Sequence, residues 1–259
     1  MTQTVYLCED GLTFCKNIRH GFFTRLGGVS PAPFDSLNTA YSSSDDADNV
    51  TENRQRVAKA LGVEHLVTCS QVHSAKVHEV SGLWEGPAPE GDAMVTTRPG
   101  VALGILTADC VPVLFADPDY PMIAAAHCGW RGTVNNIIEA TINAMCAQGS
   151  ARDRIHAAVG PAIAQDSYEV GDELRDEFLK KDAQAAPYFA PGKTSGKWQF
   201  ALDRLVADRL RAQGLAHVGH IEKDTYSNAD SFFSYRRSTH EKAPDFGRQM
   251  SAIAIRAQN

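Results

Sequence analysis

The sequence predicts an α+β protein with a mixed or largely antiparallel sheet core and helices packed outside, and three observations lead there. Short β-like runs outnumber helical ones by more than two to one. They do not alternate regularly with helices, as a doubly wound parallel sheet requires. The 259 residues are 43% hydrophobic and 22% charged, ordinary globular usage that excludes disorder, coiled coil and collagen-like repeats. With no solenoid-period repeat and no low-complexity tract, the chain reads as a single domain over residues 1–259.

Taken in order, residues 21–25 form the first β-like run, and 37–49 ("LNTAYSSSDDADN") read as a surface loop because small, polar and breaker residues dominate. Residues 49–61 then predict a helix capped by Asp48 or Asn49, with Val50, Val57 and Leu61 inward. Strands are expected at 66–69, 76–80, 93–96, 101–106, 112–116 and 122–127. The clearest helix follows Gly132. Val134, Ile137, Ile138, Thr141, Ile142 and Met145 share one face, and Gly149 supplies the stop. After a strand at 155–159 come a short helix at 172–180, a second surface loop at 183–197, and a helix through Leu202, Leu205, Val206 and Leu210 that ends at Gly214. Strands at 218–221, 232–235 and 250–255 complete the set.

Charge narrows the function classes. Twenty-five Lys and Arg against 31 Asp and Glu give a net charge of -6, so no general basic surface exists for a nucleic-acid polymer. The N-terminus has no basic segment leading into an apolar one. The most apolar stretch, 101–116, is interrupted by Thr107, Asp109 and Pro112, so neither export nor membrane insertion is expected. Six cysteines without a CxxC pair do not read as a disulfide framework, and a reducing cytoplasm is the expected location.

Three segments place a metal ligand or nucleophile between strand-like runs: "SQVHSAKV" with His73, "LTADCVPVLFAD" with Asp109 and Cys110, and "AAAHCGWRGT" with His127 and Cys128. One thiolate and two imidazoles make a recognised zinc set, and three protein ligands leave a position for water or substrate. The separations match no local zinc motif, so a core cysteine with two hydrogen-bonded histidines is the competing reading. Cys69, four residues before His73, lies roughly 13 Å away on an extended chain, too far to share a small cation, against about 6 Å on a helix. The valines around it favour the extended form. Cys128 points away from His127 if the strand continues, as a packed thiol.

Arginines mark possible anion contacts. Arg131, between two glycines at the start of the strongest helix, has backbone N–H groups and a positive dipole end beside it. Arg25 in "HGFFTRLGGVS" and Arg236 with Arg237 in "SFFSYRRSTH" are candidates for clamping a phosphate or carboxylate. A solvated surface role is the alternative for each.

These stretches, together with "NVTENRQRVAKALG", "VGPAIAQDSYEVGDE" and "FFSYRR…GRQMSAIAI", resemble in order the signatures of the YfiH family of multifunctional purine nucleoside enzymes over nearly the whole chain. The resemblance implies a β-sandwich-like mixed core surrounded by helices. It also implies zinc on His73, Cys110 and His127, and a purine nucleoside with phosphate as substrates. Phosphorolysis of adenosine, inosine and methylthioadenosine and hydrolytic deamination of adenosine are the implied reactions. Cys110 and His127 then stand as catalytic through the metal. Asp109 either moves protons or hydrogen-bonds a turn. Arg131, Arg25 and the Arg236–Arg237 pair are expected at phosphate, in that order. The chain departs from the family pattern at Cys128, where alanine is usual.

Two other enzymatic readings share the donor set. Relatives carry the label of copper polyphenol oxidase, but nine histidines without a single HxH pair make a multicopper centre hard to build. Peptidoglycan editing, removal of a wrong amino acid from a cell-wall precursor, would use the same open metal or the Cys110 thiolate. A non-enzymatic scaffold predicts a closed four-ligand site instead. No oligomeric partner is legible.

Overall fold

The structure, a computed structural model, describes residues 3–256. In chain order these form β1 (Tyr6–Leu7), α1 (Asp10–Thr13), β2 (Ile18–Phe23), α2 (Ala47–Leu61), β3 (His65–Val67), β4 (Val77–Glu79), β5 (Ala93–Thr96), β6 (Val101–Thr107), β7 (Val111–Asp117), β8 (Met122–Cys128), α3 (Trp130–Val134), α4 (Ile137–Ala147), β9 (His156–Val159), β10 (Glu169–Gly171), α5 (Asp172–Lys181), β11 (Phe189–Pro191), β12 (Lys197–Phe200), α6 (Leu202–Arg211), β13 (His217–His220), α7 (Tyr235–His240) and β14 (Gln249–Ile255).

Two large mixed sheets carry the fold. One runs β1-β2-β14-β6-β3 and the other β13-β9-β7-β8-β5-β4. Each is antiparallel at its centre and gains a parallel strand toward an edge, β3 on β6 in the first, β13 on β9 and β4 on β5 in the second. The sheets bury one face against each other. Phe22, Leu103, Ile105 and Ile253 of the first meet Leu114, Ile123, Ala125 and Met94 of the second. Because strand side chains alternate, each sheet has a second apolar face, and helices cover both. Val57 and Leu61 of α2 pack on Phe23, Ala102, Ala252 and Ala254. Ile138, Ile142 and Met145 of α4, with Leu205, Val206 and Leu210 of α6, cover Val113, Phe115, Ala124 and Ala126. The result is a four-layer α/β/β/α sandwich, the mixed sheet core with outer helices that the sequence predicts.

Several local expectations need correction. The strongest predicted helix is two: α3 ends at Val134, and Asn136, in the left-handed region at φ 66°, separates it from α4. Asparagine tolerates that conformation, so the apolar face is as predicted while the axis breaks. Arg131 therefore lies on a five-residue helix, away from the N-terminus of the long one.

Residues 37–40 belong to the interior, with Leu37, Asn38, Thr39 and Ala40 all fully buried. Their polar groups find partners there: the Asn53 side-chain amide donates to the Asn38 carbonyl at 2.7 Å, and the Asn38 amide donates to Ser43 and Asp45. Helix α2 starts earlier than predicted, capped by Asp46. Residues 183–197 are likewise no plain loop. They contribute β11 and the start of β12 to a three-stranded sheet β10-β12-β11, held by Phe189 stacked on Phe200 at 4.1 Å between ring centres.

The expected strand at 232–235 is instead a buried extended segment running into α7. The side-chain amide of Gln249 pairs with the Phe233 backbone in place of a strand neighbour, and Ser234 caps the helix. Sequence reading also missed β1 and α1. Leu103 sits fully buried between the two sheets. Leu103→Ala is expected to lower unfolding free energy by about 2–5 kcal/mol, read from urea denaturation; a loss below 1 kcal/mol would show the inter-sheet face to be plastic.

Candidate metal centre

The site lies at one end of the sandwich, where the chain crosses from β6 in one sheet to β7 in the other. Cys110 occupies that crossing. Opposite it, Pro112 pairs with His127 and Val111 with Cys128, which sets His127 next to Cys110 and turns the Cys128 side chain to the other face of the sheet. Cys128 is fully buried beneath the outer helices, and burial pushes its thiol pKa up. It is a packed thiol. His73 arrives on the irregular segment between β3 and β4.

The donor atoms of His73, Cys110 and His127 all lie within 4.8 Å of one another, and the two imidazoles meet edge-on with ring centres 4.8 Å apart. No other group of three or more His, Cys, Asp or Glu donors converges in this way among the described residues. Two observations show that the trio suits an ion. Nδ1 of His73 is buried without a hydrogen-bond partner, a vacancy a packed structural histidine does not keep. A Cβ at residue 129 would come within 2.4 Å of that atom and 3.4 Å of Cys110 Sγ, so only glycine leaves room for the donors to approach. With three protein donors and no fourth, the set is open in the manner of a catalytic site.

Asp92, immediately before β5, organises the trio and was not anticipated from the sequence. Its fully buried carboxylate accepts from Nδ1–H of His127 at 2.8 Å, turning Nε2 toward the other donors. It also accepts the backbone N–H groups of Val72, His73 and Ser74 and the Ser74 hydroxyl. Burial disfavours its charge, yet these donors win and bring its pKa down to about 2. On His127, burial opposes protonation while Cys110 and Asp92 favour it more strongly, leaving a pKa of about 9. Burial and the neighbouring His127 both lower that of His73. A signal existed: a lone carboxylate at the head of the wholly apolar run "AMV" is either exposed or deeply committed.

Both crossing segments adopt unusual backbone. His73 has φ 59° and Asp109 φ 86°, conformations that non-glycine residues hold only where surroundings over-determine them. For His73 the clamp is Asp92. For Asp109 it is its own side chain, which accepts from Thr225 Oγ1 at 2.7 Å, Ser234 Oγ at 2.9 Å and the Arg236 backbone N–H at 2.7 Å. Burial is the leading influence and raises its pKa against those bonds.

The trio opens on a cavity of about 690 Å³, and Trp130, Tyr168, Tyr41 and Phe246 supply aromatic walls. Arg131 and Arg236 line it; Arg131 stacks on Trp130, and Arg236 donates to the Glu169 carbonyl. Arg25 and Arg237 do not. They border a separate cleft of about 220 Å³, where Arg25 pairs with Asp35 and donates to the Ala229 carbonyl and Arg237 donates to the carbonyls of Thr225, Tyr226 and Phe232. Two arginines not singled out in the sequence, Arg54 and Arg248, line the main cavity instead. Cys69 stays apart from the trio, its thiol donating to the Gly91 carbonyl at 2.8 Å.

Fold and site together define a four-layer sandwich protein with an open sulfur–nitrogen donor set at the wall of a partly aromatic cavity. Residues 19–256 match the family described as Multi-copper polyphenol oxidoreductase laccase, and the chain belongs to that family. It is similar to a protein of Deinococcus radiodurans named purine nucleoside phosphorylase, 40% identical over 92% of this chain and 89% of the relative. A Streptomyces coelicolor protein of the same name is 46% identical over 84% and 89%. The crystal structure of Bacillus licheniformis YfiH superimposes with a TM-score of 0.87 at 28% identity, covering 99% of this chain and 97% of that one. The resemblance to the YfiH family therefore holds.

Asp92→Asn is expected to leave the fold intact and lower Zn²⁺ affinity by about 10–100-fold, measured by competition with a chromophoric chelator alongside thermal melting. An unchanged affinity would exclude the clamp. Gly129→Ala is expected to lower Zn²⁺ affinity in the same assay, because its Cβ displaces His73.

Proposed function

We propose that the protein is a zinc-dependent purine nucleoside phosphorylase, converting adenosine, inosine or methylthioadenosine and phosphate to the free base and a pentose 1-phosphate, with hydrolytic deamination of adenosine as a second activity. The observation that carries the reading is the open three-donor set facing a cavity large enough for a nucleoside. One thiolate with two imidazoles suits zinc better than a multicopper assembly, and a zinc ion held there supplies Lewis acidity toward substrate oxygen or water.

The chain's own residues do the rest. Trp130 and Tyr168, on the cavity wall, give a purine aromatic contacts worth about 0.5–1.5 kcal/mol beyond area burial. Asp92 fixes the tautomer and orientation of His127. Asp109 carries three donors on its carboxylate, which supports a positioning role: it holds the Cys110 turn against α7 and so places Arg236 on the cavity wall. Arg131 and Arg236 are the expected arginines within reach of substrate. Arg25 and Arg237 hold the neighbouring segments in place.

All six cysteines are free thiols, and no described helix is long and apolar enough to cross a membrane. The free thiols support a reducing, cytoplasmic setting.

Purified protein of measured zinc content, incubated with adenosine with and without phosphate, is expected to form adenine only with phosphate and inosine without need of it. Cys110→Ala and His127→Ala are each expected to abolish both products. Neither product from protein carrying zinc would overturn the reading and favour amide hydrolysis of a cell-wall precursor, which the same open site permits.

A further inference from the structure

Of the four arginines on the cavity wall, three are satisfied without a ligand. Arg54 donates to the Thr39 carbonyl and Thr68 Oγ1, Arg236 donates to the Glu169 carbonyl, and Arg131 is exposed to solvent and stacked on Trp130. Arg248 differs. Its Nη1 is buried and has no hydrogen-bond partner, and its guanidinium makes no ion pair among the described residues.

The placement of this group is built in. The Arg248 backbone N–H donates to Asn38 Oδ1 at 3.0 Å, and its carbonyl accepts from the N–H and hydroxyl of Thr39 at 3.1 and 2.9 Å. Asn38 and Thr39 are themselves fully buried. The guanidinium lies over the Phe246 ring at 4.3 Å, and Phe246 is braced by Tyr235 at 5.1 Å. Desolvation by burial disfavours its charge, with Asp245 acting in the opposite sense. A buried guanidinium N–H aimed at no acceptor is a donor waiting for one.

The geometry points to Arg248 as the residue that seats the phosphate co-substrate, an inference that rests on the phosphorolytic reading above. A tetrahedral oxyanion offers the fork of acceptors that a guanidinium matches, and the pair is stronger where water is excluded. Topology supports it. Arg248 precedes β14 of the five-stranded sheet, whereas His127 lies near the end of β8 in the six-stranded one and Arg131 on the short helix α3 that follows it. A nucleoside engaged at the donor trio and a phosphate engaged at Arg248 thus approach from opposite sheets. In the reaction a phosphate oxygen bonds to C1′ as the C1′–N9 bond breaks. The electron pair leaves with the base, which takes up the proton that hydrogen phosphate gives up.

The test is titration of inorganic phosphate into the zinc-loaded full-length protein without nucleoside, by calorimetry and ³¹P line broadening. Arg248→Gln is expected to weaken phosphate binding by about tenfold or more and Arg248→Lys by less, whereas Arg131→Ala changes it by less than about threefold. Zinc content and nucleoside KM are expected to stay unchanged in both Arg248 variants. The lysine variant keeps the charge and supplies the comparison if the glutamine variant misfolds. Wild-type phosphate affinity in the Arg248 variants, or no phosphate binding by the wild type, overturns the assignment. So does a raised nucleoside KM with phosphate binding unchanged. Binding is read without turnover, so phosphate held through Arg248 with no adenine formed would reject phosphorolysis and leave the anion seat standing.

Discussion

The site depends on one buried carboxylate. Asp92 lies where β5 begins, between a strand of the six-stranded sheet and the irregular segment that carries His73, and five donors converge on it: three successive backbone N–H groups, one hydroxyl and one imidazole. A carboxylate without such partners would not survive at zero exposure. Its own backbone carbonyl accepts the N–H of His127 at 2.7 Å, so main chain and side chain of one residue fix the same histidine. Two of the three converging donors are thereby held through a single anion, and the third, Cys110, is placed by strand register.

This arrangement explains why the site sits at the end of the sandwich. Inside it, the facing sheets are filled by apolar side chains such as Phe22, Leu103, Ile253, Leu114 and Met94, and the central strands pair with neighbours on both sides. At the end the ladders stop. The β6–β7 crossing and the segment before β4 must satisfy their polar groups otherwise, and they do so through two buried aspartates, Asp92 and Asp109. Each stabilises a residue with positive φ, one a histidine and the other itself. Strain, buried charge and the cavity thus coincide because regular structure ends there.

Much of this was legible in the sequence, and what was not has a common cause. Periodicity identified the faces of α2, α4 and α6, since burying an apolar stripe is a local pattern. Donor chemistry made His73, Cys110 and His127 candidates, the family resemblance implied them as one ligand set, and the structure brings their donor atoms within 4.8 Å of one another. Local pattern was silent where a polar side chain substitutes for backbone pairing. Gln249 stands in for a strand beside Phe233, Asn53 satisfies the buried 37–40 segment, and Asp92 pins residues 72–74. Each of these residues looks like surface in the sequence. Arg248 was passed over for the same reason, since its distinguishing feature is a missing partner, a property only the packed structure reveals. The break at Asn136 escaped because the apolar face on either side continues in register.

The family description and the names of the relatives make different demands on the donor atoms, and the histidines bear on the proposed reading. A multicopper centre needs imidazoles that are free to turn toward neighbouring ions. Of the seven histidines outside the trio, His65 is exposed on β3 and six have partners: His20 accepts from the Glu9 backbone N–H, His217 pairs with Glu9, His156 with the Gly11 carbonyl, His78 with the Glu90 carbonyl, His240 with the Tyr226 hydroxyl and His220 with Asp203. These bonds knit α1, β9, β13 and the loops together, and none of these six histidines lines the cavity. Freeing such imidazoles for a second metal would leave Glu9 or a backbone group without its partner, a cost of about 1–3 kcal/mol for each group left buried. A single open site at the end of the sandwich is what this histidine distribution supports among the described residues, and it agrees with the zinc-dependent nucleoside chemistry proposed above.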